Sequence, residues 1–191
     1  MNYSEDISDK ELVILVQQNP DAFSVIVDRY WNRLFAFVRR TSYFAQEDIE
    51  DILQEVFIKI YKNINDYDDS FEFSTWIYRI TRNHVIDEIR KKGARPQQSQ
   101  ADIEDLSDRL MSDMDIERDI VTQEAIQVLH DSINELPYKY REVLILRFLE
   151  EREYSEIMDI LQLPKGTVAS LINRGKKILQ KNLQVKKLFS K

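Results

Sequence analysis

This chain of 191 residues lacks or has few of several residue types, and each absence excludes a class of protein. It has no cysteine, which excludes disulfide bonds, zinc sites built on thiolates and cysteine nucleophiles. Its three glycines are far apart, whereas dinucleotide-binding and P-loop motifs need clustered glycine for close approach of backbone to phosphate. Its two histidines, His84 and His130, are too distant in sequence to form a local ligand pair. The composition therefore predicts no metal and no cofactor.

Long apolar runs are also absent. No stretch of about 18 uncharged apolar residues occurs, and residues 1–12 are acidic where a signal peptide is basic and then apolar. We therefore expect a soluble protein of the cytoplasm. At roughly 100 to 200 residues per domain, the length fits one medium domain or two small ones.

Charge is distributed unevenly along the chain. Residues 1–92 carry 12 basic and 17 acidic side chains, residues 93–124 carry 3 and 9, and residues 125–191 carry 12 and 8. The net charge of −7 therefore conceals a basic end, since residues 160–191 hold eight Lys or Arg and no acid. This asymmetry favours nucleic-acid contact by the basic part, although a solvated lysine-rich helix gives the same composition.

Apolar residues recur at helical spacing through most of the chain. Four helical patterns occupy residues 1–92, and in the third Ile49, Ile52, Leu53 and Val56 follow the three- and four-residue steps of one buried helix face. The run at 143–146 has strand propensity, but no partner strand is nearby, which favours a helix.

The segment after residue 92 has a different composition. Gly, Pro, Gln, Ser and Asp replace bulky apolar residues, which leaves too little apolar surface to offset the entropy of ordering. We predict an all-α protein in which two small helical domains, residues 1–92 and 125–191, are joined by a flexible acidic linker at 93–124.

The last two helical patterns form a helix-turn-helix signature. A short helix from Tyr154 to Leu161, with Ser155 available as its N-cap, is followed by a break and by a second helix from Lys165. Gly175 falls on the buried side of that second helix, where a missing side chain lets another helix approach. The outward side chains can donate to phosphates and base edges in a major groove: Lys165, Thr167, Ser170, Arg174 and Lys177. Helix-turn-helix hairpins also occur in bundles that bind no DNA.

Four ordered segments resemble the extracytoplasmic-function sigma factors of the sigma-70 family. Residues 21–40 resemble the opening helices of the family's region two, 47–64 its polymerase-binding helix, and 71–96 its promoter-melting segment. Residues 136–180 resemble region four. The resemblance covers nearly the whole chain and implies a subunit that binds core RNA polymerase and promoter DNA.

The resemblance implies that Asp48, Asp51, Gln54 and Glu55 face the clamp helices of the largest polymerase subunit. Positions 48, 51 and 55 share one helix face, which forms an acidic surface suited to arginine on a partner. The alternative is an ordinary solvated acidic face.

The resemblance further implies that the fourth helix and the loop before it capture the melted minus-ten strand. The candidates are Tyr67, Phe71, Phe73, Trp76, Arg79, Arg82, Asn83 and Arg90. Cationic side chains hold single-stranded DNA by its backbone, and each base stacked on an aromatic ring contributes about 1 to 3 kcal/mol. Burial in the core is the alternative for Phe73 and Trp76.

For the minus-thirty-five element, the resemblance implies contacts from Lys165, Thr167, Ser170, Arg174 and Lys177. The family pattern Thr-Val-Lys-Ser-Arg reads Thr-Val-Ala-Ser-Leu at residues 167–171, so two common cations are missing. Because each phosphate contact adds to affinity, we expect the isolated second domain to bind DNA weakly.

The predicted function is therefore an alternative sigma factor without covalent chemistry, a small-molecule substrate or a cofactor. The resemblance adds an anti-sigma factor as a partner, and the different surfaces favour a monomer when free. Two other interpretations remain open at this point. One is a free-standing helix-turn-helix regulator that binds a palindrome as a dimer, and the other is a helical adaptor without a nucleic-acid role.

Overall fold

The computed structural model describes residues 7–92, 109–110, 113 and 131–189. All regular structure within these ranges is helical, and the chain divides into two compact units, Met1–Pro96 and Gln97–Lys191. The prediction of an all-α protein with two helical domains is confirmed. The domain boundaries at residues 92 and 124 stay predictions, because most of the acidic segment between them lies outside the described residues.

In its described part, the first unit is built from four α-helices. They are α1 (Asp9–Gln18), α2 (Phe23–Thr41), α3 (Gln46–Asn63) and α4 (Phe73–Lys92), with single 3₁₀ turns at Pro20–Ala22 and Ile64–Asp66. Helix α1 begins where the sequence provides a capping box. The backbone N–H of Ser8 donates to the Glu11 carboxylate at 2.9 Å, and the Ser8 hydroxyl accepts from the Glu11 backbone at 3.3 Å.

The apolar stripes of α2, α3 and α4 form the core of the first unit, and each of these helices packs against the other two. Fully buried examples are Leu34 on α2, Leu53 and Ile60 on α3, and Ile77 and Val85 on α4. Burying one such side chain contributes about 1.5 to 3 kcal/mol. The helical spacing read from the sequence therefore corresponds to the buried faces.

Helix α1 is joined to α2 by a partly buried polar contact. Asp9 accepts from Arg29 Nη1 at 2.7 Å and from the Tyr30 hydroxyl, and Arg29 also donates to the carbonyl of Ile7 at 2.8 Å. Tyr30 is 1% exposed, so water does not solvate its hydroxyl group. The Asp9 carboxylate provides an acceptor in place of that water. The contact fixes the start of α1 on the bundle.

The second unit contains α5 (Tyr138–Phe148), α6 (Tyr154–Leu161) and α7 (Lys165–Phe189), and residues 131–135 are also helical. Helix α7 packs against both α5 and α6. Residues 143–146, whose composition also suits a strand, form the middle of α5 and are all buried. Residues 141–146 are buried on all sides of the helix, and such a stretch needs no amphipathic pattern, which explains the ambiguity of this run.

The helix-turn-helix is present where the sequence predicts it, but one cap differs. Helix α6 starts one residue after Glu153, whose backbone N–H donates to the Glu156 carboxylate at 2.8 Å, so Ser155 lies inside the helix. The turn between the two helices uses a left-handed Gln162, with φ of 55°, and the N–H of Leu163 bonds to the carbonyl of Met158 at 3.1 Å.

Gly175 lies where α7 crosses α5 closely. A Cβ atom at this position would be 3.1 Å from Leu144 Cδ1 and 3.5 Å from Tyr140 Cβ. The prediction that this glycine permits close helix approach is confirmed. At Gly166, in the first turn of the same helix, a Cβ atom would meet nothing within 4 Å.

We expect Gly175→Val to lower the free energy of unfolding by about 1 to 3 kcal/mol, because the added methyl groups overpack the contact with α5. The matched control is Gly166→Val, which we expect to be neutral or slightly stabilising, since valine is a better helix former than glycine. Chemical denaturation of both variants tests this. Equal unfolding midpoints for the two would contradict it.

Candidate protein and nucleic-acid interfaces

Helix α3 presents an acidic face to solvent. Asp51, Gln54 and Glu55 are exposed, and the side chain of Glu55 retains 63% of its accessible surface. Asp48 is different, because its carboxylate lies 2.6 Å from Lys92 Nζ at the end of α4 and is only half-exposed. The structure therefore brings the four predicted residues onto one side of α3. The ammonium group of Lys92 partly neutralises the charge of Asp48.

An exposed apolar residue lies next to this acidic face. Ile58 is 53% exposed and follows Asp51 by seven positions and Glu55 by three, so it lies on the same side of α3. A large exposed apolar side chain surrounded by charged groups is the usual arrangement of a protein-binding surface with a polar rim. The sequence interpretation did not select Ile58, which lies outside the apolar pattern of the buried face.

Beside the acidic face, His84 of α4 contacts two residues of α3. His84 is 3% exposed, its Nδ1 is 2.7 Å from Lys59 Nζ, and its Nε2 is 3.2 Å from Glu55 Oε2. An ammonium group can only donate, so Nδ1 accepts and the proton of the neutral ring is on Nε2. That buried N–H has no well-aligned hydrogen bond, although the Glu55 carboxylate lies beside it.

Burial, followed by the positive charge of Lys59, lowers the pKa of His84 below its ordinary value of 6.5. The carboxylates of Glu55 and Glu88 act in the opposite direction. The imidazole is therefore neutral near pH 7. Sequence reasoning missed the role of His84, because 25 residues separate it from Lys59 and no local pattern connects them.

Glu55, His84 and Glu88 place potential metal ligand atoms within 4.8 Å of one another. The donor set does not fit a divalent metal. A ligating histidine needs a free lone pair on one nitrogen and normally donates from the other, whereas here Lys59 occupies Nδ1 as a donor and Nε2 keeps its proton. This cluster is better described as a polar contact between two helices.

The aromatic residues before and in α4 form a packed cluster. The Tyr67 and Phe73 ring centroids are 5.2 Å apart, and those of Phe73 and Trp76 are 5.6 Å apart. Phe73 is 1% exposed and Trp76 is 8% exposed. For Phe73 this corrects the expectation of base stacking, since its ring faces are covered by protein.

Burial, then the nearby carboxylates of Glu72 and Asp69, raises the pKa of Tyr67 to about 12. The Tyr67 hydroxyl donates to the Phe71 carbonyl.

Phe71 is the candidate aromatic that remains open to solvent, with 37% exposure. The Arg79 guanidinium lies 5.9 Å from the centre of its ring, at the distance of a cation–π contact. The preceding loop is ordered by Asp68, which accepts from the Ser70 backbone at 2.9 Å. The loop therefore presents one ring and one cation together.

Asn83 is exposed and lines a cavity of about 350 Å³ between α3 and α4. Trp76 and Ile80 provide its apolar lining, and Lys59 and Asp87 add charged groups. A base fits such a cavity, because it combines an apolar wall with polar groups that can donate and accept. Arg82 lies beside Asn83, its Nη1 3.5 Å from Oδ1, and Arg90 lies further along α4, exposed and 3.5 Å from Asp87.

In the second unit, the predicted DNA-binding residues lie along the outer side of α7. Lys165, Thr167, Arg174 and Lys177 are exposed, and Ser170 is half-buried. Ala169 and Leu171, which replace the family's usual cations, are also half-buried. The buried side of the helix is formed by Val168, Ile172, Gly175 and Leu179.

Three residues of the acidic segment 93–124 are described, and all contact or pack within the second unit. Arg109 donates to the Phe148 carbonyl at 2.8 Å, Asp113 lies 2.7 Å from Lys176, and Leu110 is fully buried. At these positions the segment is attached to the second unit. The rest of it lies outside the described residues.

Within the described ranges, none of the helices combines the length and the apolar content needed to cross a lipid bilayer.

Comparison with known families gives two matches. Residues 26–95 match the family model described as Sigma-70 region 2, and residues 126–179 match that of Sigma-70, region 4. The first match contains α3, α4 and most of α2. The second contains the whole helix-turn-helix and most of α7.

Individual proteins match over most of their length. The ECF RNA polymerase sigma factor SigW of Bacillus subtilis is 38% identical over 171 residues, which cover 86% of this chain and 90% of SigW. The ECF RNA polymerase sigma-E factor of Haemophilus influenzae is 32% identical over 187 residues, which cover 95% and 98%.

Solved structures share the fold. CnrH, in its complex with the cytosolic domain of CnrY, superposes with a TM-score of 0.64 at 20% identity and covers 93% of this chain and 97% of its own. The sigma factor RpoE of Bartonella quintana, in complex with the anti-sigma factor NepR, gives 0.61 at 19% identity and covers 85% and 97%.

We expect the pKa of His84 to rise toward 6.5 in Lys59→Met, because the variant removes a positive charge from Nδ1. An NMR titration of the imidazole protons measures this, and the chain has one other histidine, His130. Because the folded-state pKa lies below the unfolded value, the stability contributed by neutral His84 is complete above about pH 6.5 and decreases as the pH falls. A midpoint that does not change in the variant would argue against the Lys59 contact.

Proposed function

Because the chain belongs to the extracytoplasmic-function sigma factors of the sigma-70 family and so directs RNA polymerase to promoters, we propose a division of that work between its two units. Residues 1–92 bind core polymerase and capture the melted minus-ten strand, and residues 125–191 bind the minus-thirty-five element. One observation carries the proposal. Two adjacent helices of the first unit present an acidic protein-binding face on α3 and a polar cavity that includes Asn83 on α4.

The polymerase contact is assigned to the exposed side of α3. Carboxylates form short, strong hydrogen bonds with arginine, and Asp51 and Glu55 are exposed on one side of the helix. Gln54 adds an amide that donates and accepts. Ile58 supplies apolar surface at the C-terminal end of this face, and its burial against a partner adds to affinity. Asp48 has the weaker role, since Lys92 already pairs with it.

The minus-ten contact is assigned to α4 and the loop before it. Asn83 offers donor and acceptor groups to a base edge inside the cavity, and Trp76 forms part of the apolar wall. Phe71 stacks on a second base, while Arg79, Arg82 and Arg90 hold the backbone. Tyr67 and Phe73 support this surface by packing behind it. Binding the open strand more tightly than the duplex supplies the free energy for melting.

The minus-thirty-five contact is assigned to α7, the second helix of the helix-turn-helix. Lys165 and Thr167 in its first turns and Arg174 and Lys177 further along are all exposed. Ser170 lies between these two pairs. Such a helix lies in the major groove with its N-terminal residues toward the bases. Residues 169 and 171 lack the positive charge that the family pattern has there. The second unit therefore binds DNA weakly until core polymerase adds further DNA contacts.

Further properties follow from membership of the family. We propose that the protein is a cytoplasmic initiation factor with no catalysis of its own, a monomer when free. A partner of the anti-sigma class is supported by the similar fold of RpoE, which is bound to such a factor. The dimeric regulator explains the helix-turn-helix but not the acidic face of α3, and the adaptor explains the acidic face but not the basic outer side of α7.

We expect Asp51→Lys combined with Glu55→Lys to abolish binding to core RNA polymerase, because both substitutions place like charge against basic residues of the partner. Both side chains are exposed, so thermal stability should change little. Fluorescence anisotropy of the labelled full chain titrated with core polymerase measures the affinity.

The matched control is Asp21→Lys combined with Asp28→Lys, which makes the same change in net charge at exposed positions of the same unit, outside the α3 face. It should bind core polymerase with near-normal affinity. An equal loss of binding in both pairs would assign the effect to net charge and not to the α3 face.

Asn83→Ala should slow promoter opening by about 10-fold or more while leaving core binding unchanged, because one to three kcal/mol of base recognition is lost. Permanganate reactivity of the minus-ten thymines against time measures opening. Asn32→Ala, at an exposed amide on α2, is the control. If Asn83→Ala opens the promoter at the wild-type rate, the assignment of Asn83 is wrong.

A further inference from the structure

His84 links the two working helices of the first unit without lying on the surface itself. It is 97% buried, it is one residue from Asn83 on α4, and its Nε2 lies 3.2 Å from Oε2 of Glu55 on α3. The sigma-factor function described above uses Glu55 and Asn83 but gives His84 no role.

The hydrogen bond from Lys59 determines which ring nitrogen of His84 carries the proton. Lys59 donates to Nδ1 at 2.7 Å and thereby keeps the proton on Nε2, so the ring presents a donor toward the Glu55 carboxylate. That donor is buried and has no well-aligned partner. The carboxylate oxygen of Glu55 lies within hydrogen-bonding distance of this donor, at 3.2 Å. The other nearby carboxylate, Glu88, is paired with Lys91 at 2.6 Å.

We propose that His84 is a positioning residue of the polymerase interface, which holds the carboxylate of Glu55 in the orientation that accepts a cation of the polymerase. This inference rests on the proposed polymerase contact of Glu55. A carboxylate has about four acceptor positions, so one bond to His84 leaves the others open to the partner.

The physical gain is preorganisation. A glutamate on an exposed helix face samples many rotamers, and binding must restrict them at a cost in entropy. Glu55 is 63% exposed at its side chain, yet one oxygen lies beside a fixed buried donor. Holding it before binding removes part of that cost, and the interface binds more tightly without any new contact.

The test measures affinity for core polymerase in the full chain, with His84→Leu, Glu55→Ala and the double variant. Leucine fills similar space but donates nothing, so packing is largely preserved. We expect His84→Leu to weaken binding by about 3- to 10-fold, the range that ordering one long side chain explains. In the Glu55→Ala background the same substitution should have no further effect. His84→Gln, which keeps a donor, should recover most of the affinity.

Each other outcome overturns a specific statement. If Glu55→Ala weakens binding but His84→Leu does not, the inference about His84 fails. It also fails if His84→Leu weakens binding equally in both backgrounds. In both cases the assignment of Glu55 to the polymerase interface is retained. If Glu55→Ala binds normally, the assignment of Glu55 to the interface fails and the inference fails with it.

A second measurement does not depend on the folding of His84→Leu. In the otherwise native chain, Glu55→Gln should lower the pKa of His84, because it removes a negative charge beside Nε2. The imidazole signals followed by NMR give this value. An unchanged midpoint would show that the carboxylate and the ring do not interact, which also overturns the inference.

Discussion

The packing of α3 against α4 positions the acidic face of the first helix and the cavity beside the second. Leu53 and Ile60 on α3 and Ile77 and Val85 on α4 are fully buried, so neither helix can rotate without exposing them. This constraint turns the acidic side of α3 outward and leaves a cavity beside Asn83. One apolar contact therefore fixes a protein-binding face and a base-sized cavity relative to each other.

The second unit depends on a comparable constraint at a smaller scale. Helix α7 approaches α5 so closely at Gly175 that a Cβ atom would be 3.1 Å from Leu144. This approach buries one side of α7 and orients the opposite side, with Arg174 and Lys177, toward solvent. The left-handed Gln162 ends α6 and lets the chain turn into α7.

Candidate residues of the site could be selected from the sequence by type and spacing, but their exposure could not. Aromatic residues in a loop before a basic helix suit base stacking and core packing equally, and only the structure separates Phe71, which is exposed, from Phe73, which is buried. The role of His84 could not be predicted from the sequence, because its contact with Lys59 spans 25 positions and depends on the crossing of two helices. The same holds for the pairing of Asp48 with Lys92.

The all-α class, the helix-turn-helix and the sigma-70 family can be predicted from the amino-acid sequence, because helical periodicity, turn residues and motif order are local properties of the chain. The acidic side of α3 can be predicted in the same way. The packing of the helices, in contrast, sets which aromatic rings are covered, which acid pairs with Lys92 and which buried donor faces Glu55. These properties arise from contacts between residues far apart in the chain, and the distance between two helices is not encoded in the periodicity of either one.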